Sequence, residues 1–292
     1  MLIIKFLFII FSLGNQIVNV NISLTYQNFE RYIQNNLNSP IFQNRYKQNL
    51  FQLAKINIHS GCDKKVFNLP LKNYFSSWDK IFGYFFRCFL EKQKKYISAR
   101  IVTNKVYFRL HNIKVALKHL DWKIWKLWEN FDIVEFLKKY EKEYINWEGI
   151  YRWKVVMIKW GGLCGLATVL YQLAIKTPDI KVIERHPHTY FYQHYYNLTW
   201  LDATVFFTGW IVKNLVLENN HYDWFFKTFW QETKDNFIYE VRFYSLKSFV
   251  ENNIQIGNVY LSWYKKCVDV WIENDKLWYK DKIVSCYKGI FR

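Results

Sequence analysis

Trp160-Gly161-Gly162-Leu163-Cys164-Gly165-Leu166-Ala167-Thr168-Val169-Leu170-Tyr171-Gln172-Leu173-Ala174-Ile175-Lys176-Thr177-Pro178 is the stretch that decides the class of fold. Two glycines make a flexible approach, and Cys164 to Ile175 reads as an apolar helix. Thr177-Pro178 stops it, because the residue before a proline is pushed out of the helical region. Cys164 falls in the first turn. Downstream the period changes from helical to alternating, with short extended runs at Lys181 to Arg185, Asp202 to Phe207, Ile211 to Leu217, Trp224 to Trp230 and Phe237 to Tyr244. Upstream, Ile113, Ala116, Leu117 and Leu120 recur at helical spacing, with Lys114 and Lys118 on the other face. A second helical pattern runs from Phe131 to Tyr144 through Ile133, Phe136, Leu137 and Tyr140. Helices followed by antiparallel strands predict an α+β fold, with N-terminal helices packed on an antiparallel sheet. Val259 to Tyr264 and Leu277 to Tyr287 are further strand candidates that either extend this sheet or form an appended hairpin.

With no internal repeat and no Gly/Ser/Pro linker, boundaries follow changes of pattern. Residues 1–20 read as a signal peptide or anchor, 21–110 as an aromatic and basic N-terminal region, 111–246 as the central domain, and 247–292 as a C-terminal strand extension. The basic entry Met1 to Lys5 and the apolar run Phe6 to Leu13 have signal-peptide length and are too short to span a bilayer as a helix. No small-x-small cleavage site follows. A buried first element of a cytosolic protein is an equal alternative, so the expected location is the cell envelope or exterior if the segment acts as a signal, and the cytoplasm otherwise. Asn21-Ile22-Ser23 and Asn197-Leu198-Thr199 fit the N-glycosylation pattern, which matters only in a eukaryotic secretory pathway.

The chain has 292 residues, 51% of them hydrophobic and 22% charged, which excludes disorder and a polytopic membrane protein. With 10 Gly and 4 Pro it lacks the material of a turn-dense sandwich. Its formal charge of +17 attracts polyanions: nucleic acid, anionic lipid or an acidic wall polymer. The excess is concentrated between Glu91 and Trp128, where a solvated helix face is the simpler reading and a binding patch the alternative. No nucleic-acid recognition motif, phosphate loop or dinucleotide fingerprint is present. His59, His111, His119, His194 and His221 lack carboxylates or cysteines at ligand spacing, so neither a metal nor a cofactor is expected. Cys62, Cys88, Cys164, Cys267 and Cys286 are odd in number and form no CxxC pair, which leaves at least one thiol intramolecularly unpaired. Apart from Cys164 they read as small apolar fillers or disulfide partners.

Three segments stand in a chemically suggestive order: Cys164 at a helix start, Glu184-Arg185-His186-Pro187-His188 at a strand end, and Leu201-Asp202-Ala203-Thr204-Val205. A helix N-terminus offers free N–H groups and a positive dipole end that favour a thiolate and can hold an oxyanion. A histidine would take and return the thiol proton, and an aspartate would fix its tautomer. His188 is preferred as the base, with His186 as the alternative. Such a trio also arises by composition alone, with the cysteine packed in the core.

Trp160 to Thr168, then Tyr171, Val182-Ile183-Glu184-Arg185-His186-Pro187-His188 and Asp202-Ala203-Thr204-Val205 resemble the signature of VanW-like proteins, a GGGxCQxS run, an ERxxH run and a DAT run in that order. His111-Asn112-Ile113-Lys114-Val115-Ala116-Leu117-Lys118 is similar to the family's NLKLAAK helix, and Gly209-Trp210 and Asn219-Asn220 stand where the family places a strand and an Asn-rich turn. The resemblance spans about His111 to Tyr244. It implies a bacterial cell-envelope setting, because the family takes its name from glycopeptide-resistance gene clusters and related domains accompany peptidoglycan-binding modules. It also implies peptidoglycan or another anionic wall polymer as partner, with contact to a membrane surface. Together with the three ordered segments above, this setting gives the expectation of Cys164 as nucleophile, His188 as base and Asp202 as orienter, acting on amide bonds of peptidoglycan stem peptides or a similar substrate. Gly162, Thr168, Glu184, Arg185 and His186 would line the substrate. The same order resembles papain- and transglutaminase-type hydrolases, which is a fold-level analogy. The sequence departs from the family at Trp160, Gly165 and Ala167. A missing glutamine at position 165 removes a candidate oxyanion donor, elsewhere worth ~2.7–4 kcal/mol of transition-state stabilisation, which implies a weakened or inactive copy. The competing expectation is a non-catalytic accessory module that binds an anionic wall polymer or membrane through its basic surface.

Overall fold

The structure is a computed structural model that describes residues 21–24, 67–70, 91, 96–105, 107–151, 154–188, 191–192, 201–208, 211–220, 223–245, 251–262, 265–274, 277–287 and 290–291. The signal-like segment, Cys62, Cys88, His59, His194, His221, Trp210 and the Asn197 pattern lie outside these residues. The chain forms two compact units, Met1–Lys92 and Gln93–Arg292. In the first, β1 (Asn21–Leu24) pairs antiparallel with β2 (Phe67–Pro70).

The second unit begins with β3 (Tyr96–Asn104), α1 (Tyr107–Leu120), β4 (Ile124–Trp125), β5 (Asn130–Asp132), α2 (Ile133–Lys138), β6 (Trp147–Tyr151) and β7 (Lys154–Ile158). It continues with α3 (Cys164–Lys176), β8 (Ile180–Arg185), β9 (Phe191–Tyr192), β10 (Phe206–Thr208), β11 (Ile211–Lys213), β12 (Leu215–Asn219), β13 (Trp224–Glu232) and β14 (Asn236–Tyr244). The last strands are β15 (Asn253–Ser262), β16 (Lys265–Asn274), β17 (Leu277–Tyr287) and β18 (Ile290–Phe291). The fold is α+β. Strands β3-β14-β13-β4 make a four-stranded antiparallel sheet and β5-β12-β8 a three-stranded one.

Alternation along β3 turns Ile97, Ala99, Ile101 and Thr103 inward, and Phe237, Tyr239, Val241 and Phe243 do the same on β14. All of these except Thr103 join one core cluster with Leu110, Ile113, Ala116, Leu117 and Leu120 of α1. Helix α3 contacts β3 and β14 of the larger sheet and β8 and β12 of the smaller. It is buried on every side from Gly165 to Ile175, which is why its sequence is apolar all round rather than striped.

The structure corrects several sequence expectations. The helical pattern from Phe131 to Tyr144 forms only a six-residue α-helix and a 3-10 turn at Glu141–Glu143. Phe131 is drawn into β5 opposite Leu217, and the Asp132 carboxylate then caps α2 by accepting from the Glu135 N–H at 2.8 Å. The single run Ile211 to Leu217 is split at Asn214, whose side chain accepts from the N–H groups of Val134 at 3.0 Å and Leu215 at 2.8 Å. Leu201 to Val205 is extended without belonging to a sheet. Strands β15-β16-β17 form their own three-stranded sheet. Within it Cys286 is disulfide-bonded, and the residue opposite it in the ladder is Cys267.

Candidate active site

The approach to α3 is a tight turn that requires glycine twice. At Gly161 a Cβ would lie 2.7 Å from the Trp147 Cβ and 2.8 Å from that residue's backbone. Gly162 has φ +89°, where a side chain is strained, and a Cβ there would meet the Arg109 side chain at 2.5 Å. Asn112 of α1 fastens this turn. Fully buried, it donates from Nδ2 to the carbonyls of Ile145 (2.9 Å), Lys159 (3.1 Å) and Gly161 (3.0 Å), and accepts from the Ile145 N–H at 2.9 Å. The turn delivers Cys164, a free thiol, as the first residue of α3, which no side chain caps at Leu163.

Three side chains one helical turn apart bond to alternate residues of the extended segment Leu201 to Val205. The Cys164 Sγ donates to the Val205 carbonyl at 3.3 Å. The Thr168 hydroxyl donates to the Ala203 carbonyl at 3.2 Å and accepts from its N–H at 3.1 Å. The Gln172 amide donates to the Leu201 carbonyl at 3.3 Å. Between these rungs the Thr204 N–H donates to the His186 carbonyl at 2.7 Å, so α3 holds the segment on one side and the end of β8 holds it on the other.

This zipper fixes Asp202 between two of its rungs. One carboxylate oxygen accepts from the Arg185 guanidinium at 3.1 Å; the other accepts from the His188 backbone N–H at 2.9 Å and makes a short hydrogen bond with the His188 Nδ1. Arg185 also donates through Nε to the Asp202 carbonyl at 2.7 Å and lies over the Tyr171 ring at 4.7 Å. Both Arg185 and Asp202 side chains are nearly out of water, 9% and 7% exposed, so the ion pair is held at low dielectric. Burial pushes the Tyr171 hydroxyl up, so it stays neutral beneath the guanidinium. Burial alone would lower the pKa of His188. Its hydrogen bonds to Asp202 and to Cys164 override that and push it up to about 10, so at neutral pH the ring is an imidazolium. With Nδ1 engaged by the carboxylate, Nε2 is the ring nitrogen available to the sulfur.

His188 is thus bonded to Asp202 and in electrostatic contact with the Cys164 sulfur, which brings the three side chains together. Their neighbours take other places. His186 pairs with Glu184 at 2.8 Å, with both side chains 40% exposed. Arg185 is the partner of Asp202, and Thr168 is fully buried in the zipper. Gly162 shapes the turn.

Three residues of this region escaped the sequence reading. Asn112 and Gln172 carried a signal, since a polar amide on an otherwise apolar helix must find buried partners. Tyr239 of β14 is within electrostatic reach of Cys164 and Arg109, and its buried hydroxyl has no hydrogen-bond partner among the described residues. As one aromatic among many on an inward strand face, it carried no distinguishing signal.

Residues 108–240 match the family model described as VanW like protein. No curated protein and no solved structure matches the chain.

Proposed function

We propose that this chain, VanW-like over residues 108–240, is a cell-envelope protein of the glycopeptide-resistance type whose Cys164 carries out acyl transfer on amide bonds of peptidoglycan stem peptides. The observation that supports this reading most strongly is the hydrogen bond of His188 to Asp202 beside the first-turn thiol of α3, whose sulfur helps raise the His188 pKa. In this mechanism Cys164 reacts as the thiolate, its proton carried by His188; the sulfur attacks the amide carbonyl carbon and forms a C–S bond, leaving the oxyanion at the N-terminal end of α3. The C–N bond then breaks as the imidazolium of His188 gives its proton to the departing amine. Water or a second amine attacks the thioester, passes its proton to the now neutral His188, and releases the acyl product and the sulfur. Asp202 holds the ring through Nδ1 in both halves of the cycle. An envelope location is supported by the apolar run after Lys5 and by the disulfide at Cys286, since such bonds persist in oxidising compartments.

A thiol-reactive alkylating probe tests the reading. Cys164 should label faster in the wild type than in His188→Asn, and purified protein should release cleaved stem peptides from peptidoglycan while Cys164→Ala does not. Equal labelling of the two proteins, together with no peptide release, would remove the catalytic reading.

A second reading, a binding module for an anionic wall polymer, has its own observation. A groove of about 480 Å³ is lined by Tyr96, Arg100, Lys176, Glu240 and Arg242 among others, with three cations against one carboxylate. It reaches Lys176, the far end of α3 from Cys164, about 18 Å away along the helix. Polymer retention that survives Cys164→Ala and fails in Arg100→Glu would favour this second role.

A further inference from the structure

Between β4 and β5 the chain makes a tight turn through Lys126, Leu127, Trp128 and Glu129. Trp128 sits at its tip with φ +62°, in the left-handed region, and is 70% exposed; Leu127 beside it is 40% exposed. A bulky side chain in that region is an outlier, and glycine or asparagine would occupy it at lower cost. Trp122 also has positive φ, but it is buried and stacks near Tyr244 at 6.4 Å, so the interior rewards it. Among the described residues the Trp128 ring stacks on nothing.

The turn is nonetheless held firmly. The Trp128 N–H donates to the Asn219 carbonyl at 2.7 Å, the Leu127 N–H to Asp223 at 3.0 Å, the Lys126 N–H to the Glu129 carboxylate at 3.0 Å, and the Glu129 N–H to the Lys126 carbonyl at 3.1 Å. Asn219, fully buried, donates to the carbonyls of Trp125 at 3.1 Å and Lys126 at 2.9 Å. The fold therefore spends several hydrogen bonds on presenting an indole and an isobutyl group to solvent in one fixed pose.

We infer that this turn is a preformed anchor for an anionic lipid surface, in which Trp128 and Leu127 enter the headgroup boundary. Indole is the side chain that favours the membrane–water interface, and an aliphatic neighbour adds area that inserts with it. The tip's backbone N–H groups are consumed internally, which takes them away from recognition of a sugar's hydroxyls. The chain's charge of +17 supplies long-range attraction to an anionic leaflet. The inference does not depend on the thiol chemistry.

Co-sedimentation of the full chain with vesicles of mixed phosphatidylcholine and phosphatidylglycerol tests it, read beside a thermal midpoint. Wild type should bind the mixed vesicles more tightly than pure phosphatidylcholine. Trp128→Gly should weaken that binding about tenfold or more, the loss expected for one large apolar side chain, with the midpoint unchanged or raised. Trp128→Phe should retain part of the binding. Undiminished vesicle binding by Trp128→Gly would overturn the inference. So would a wild type that binds insoluble peptidoglycan through Trp128 but not vesicles, or a lowered midpoint in Trp128→Gly, which would make the ring a structural element.

Discussion

Replacing Asp202 by asparagine keeps the size of the side chain and removes its charge, which separates the electrostatics of the site from its packing. The carboxylate accepts from the Arg185 guanidinium, the His188 N–H and the His188 ring, and is 7% exposed. Losing one member of a buried pair costs ~3–5 kcal/mol because the remaining charge is left uncompensated. Arg185 keeps its bond to the backbone carbonyl of residue 202 and its place over Tyr171, so the lower end applies. At roughly 2–4 °C per kcal/mol for a unit of this size, the midpoint should fall by about 6–12 °C. The pH dependence gives a sharper readout. His188 is raised from 6.5 to about 10 in the folded state, so its contribution to stability is complete below pH 6.5 and disappears as the pH rises through about 10. Wild type should lose a few kcal/mol across that window, at no more than ~1.4 kcal/mol per pH unit. Asp202→Asn should lose much less, since its chief stabiliser of the imidazolium is gone. Urea unfolding of both proteins at pH 6, 8 and 10 measures the difference and cancels titrations they share. Parallel pH dependences, or a cost below about 1 kcal/mol at pH 6, would refute the charge network as the site's organising interaction.

Gly162→Ala forces a Cβ onto a backbone at φ +89° and against Arg109, and should cost ~1–2 kcal/mol while slowing alkylation of Cys164, both read on the same preparation. Thr168→Val strands the N–H and carbonyl of Ala203 in the core; a loss of about 2–4 kcal/mol in urea is expected, with Thr168→Ser losing much less because it keeps the hydroxyl. Reduction of the Cys286 disulfide in a Cys164→Ala background should lower stability by ~2–4 kcal/mol, seen as a lower midpoint in reductant and restored on reoxidation.

What the sequence discloses depends on whether the structure uses a local rule. Helix α3 was legible because its stop is local: proline after Thr177 excludes the helical conformation whatever surrounds it. The alternation of β8 was legible for the same reason. Strand β3 alternates as plainly, through Ile97, Ala99 and Ile101, but it lies in a lysine-rich stretch and precedes the helices, so an order of helices first and sheet second hid it. The Phe131 to Tyr144 pattern misled because Phe131 satisfies a helical period and a strand pairing equally, and only the opposing β12 decides between them. At the site, the order of cysteine, histidine and aspartate was visible, whereas the place of Arg185 was not. A strand residue's partner across space is fixed by register, which no single segment encodes.

The zipper between α3 and the 201–205 segment explains why the departures from the family signature need not disturb the site's geometry. Four helical residues rise about 6 Å, and two extended residues advance about 6.6–6.8 Å, so a helix position every four residues stays beside an extended position every two, with a slip under ~1 Å per step. Cys164, Thr168 and Gln172 meet Val205, Ala203 and Leu201 in that ratio. One step earlier, in the turn before the helix, the Trp160 ring meets Phe207 at 6.0 Å, which continues the same register by packing instead of hydrogen bonding. Trp160, at a usual glycine of the signature, therefore sits on the series. Gly165 and Ala167 fall between its rungs and enter neither the Cys164 contact with Val205 nor the Thr168 contacts with Ala203. Because Asp202 lies between two anchored residues, its carboxylate is positioned by the same series that holds the sulfur. The spacing of thiol and acid is thus set by the pitch of one helix against one extended segment, while the ring is brought to the acid by the His188 N–H and Nδ1.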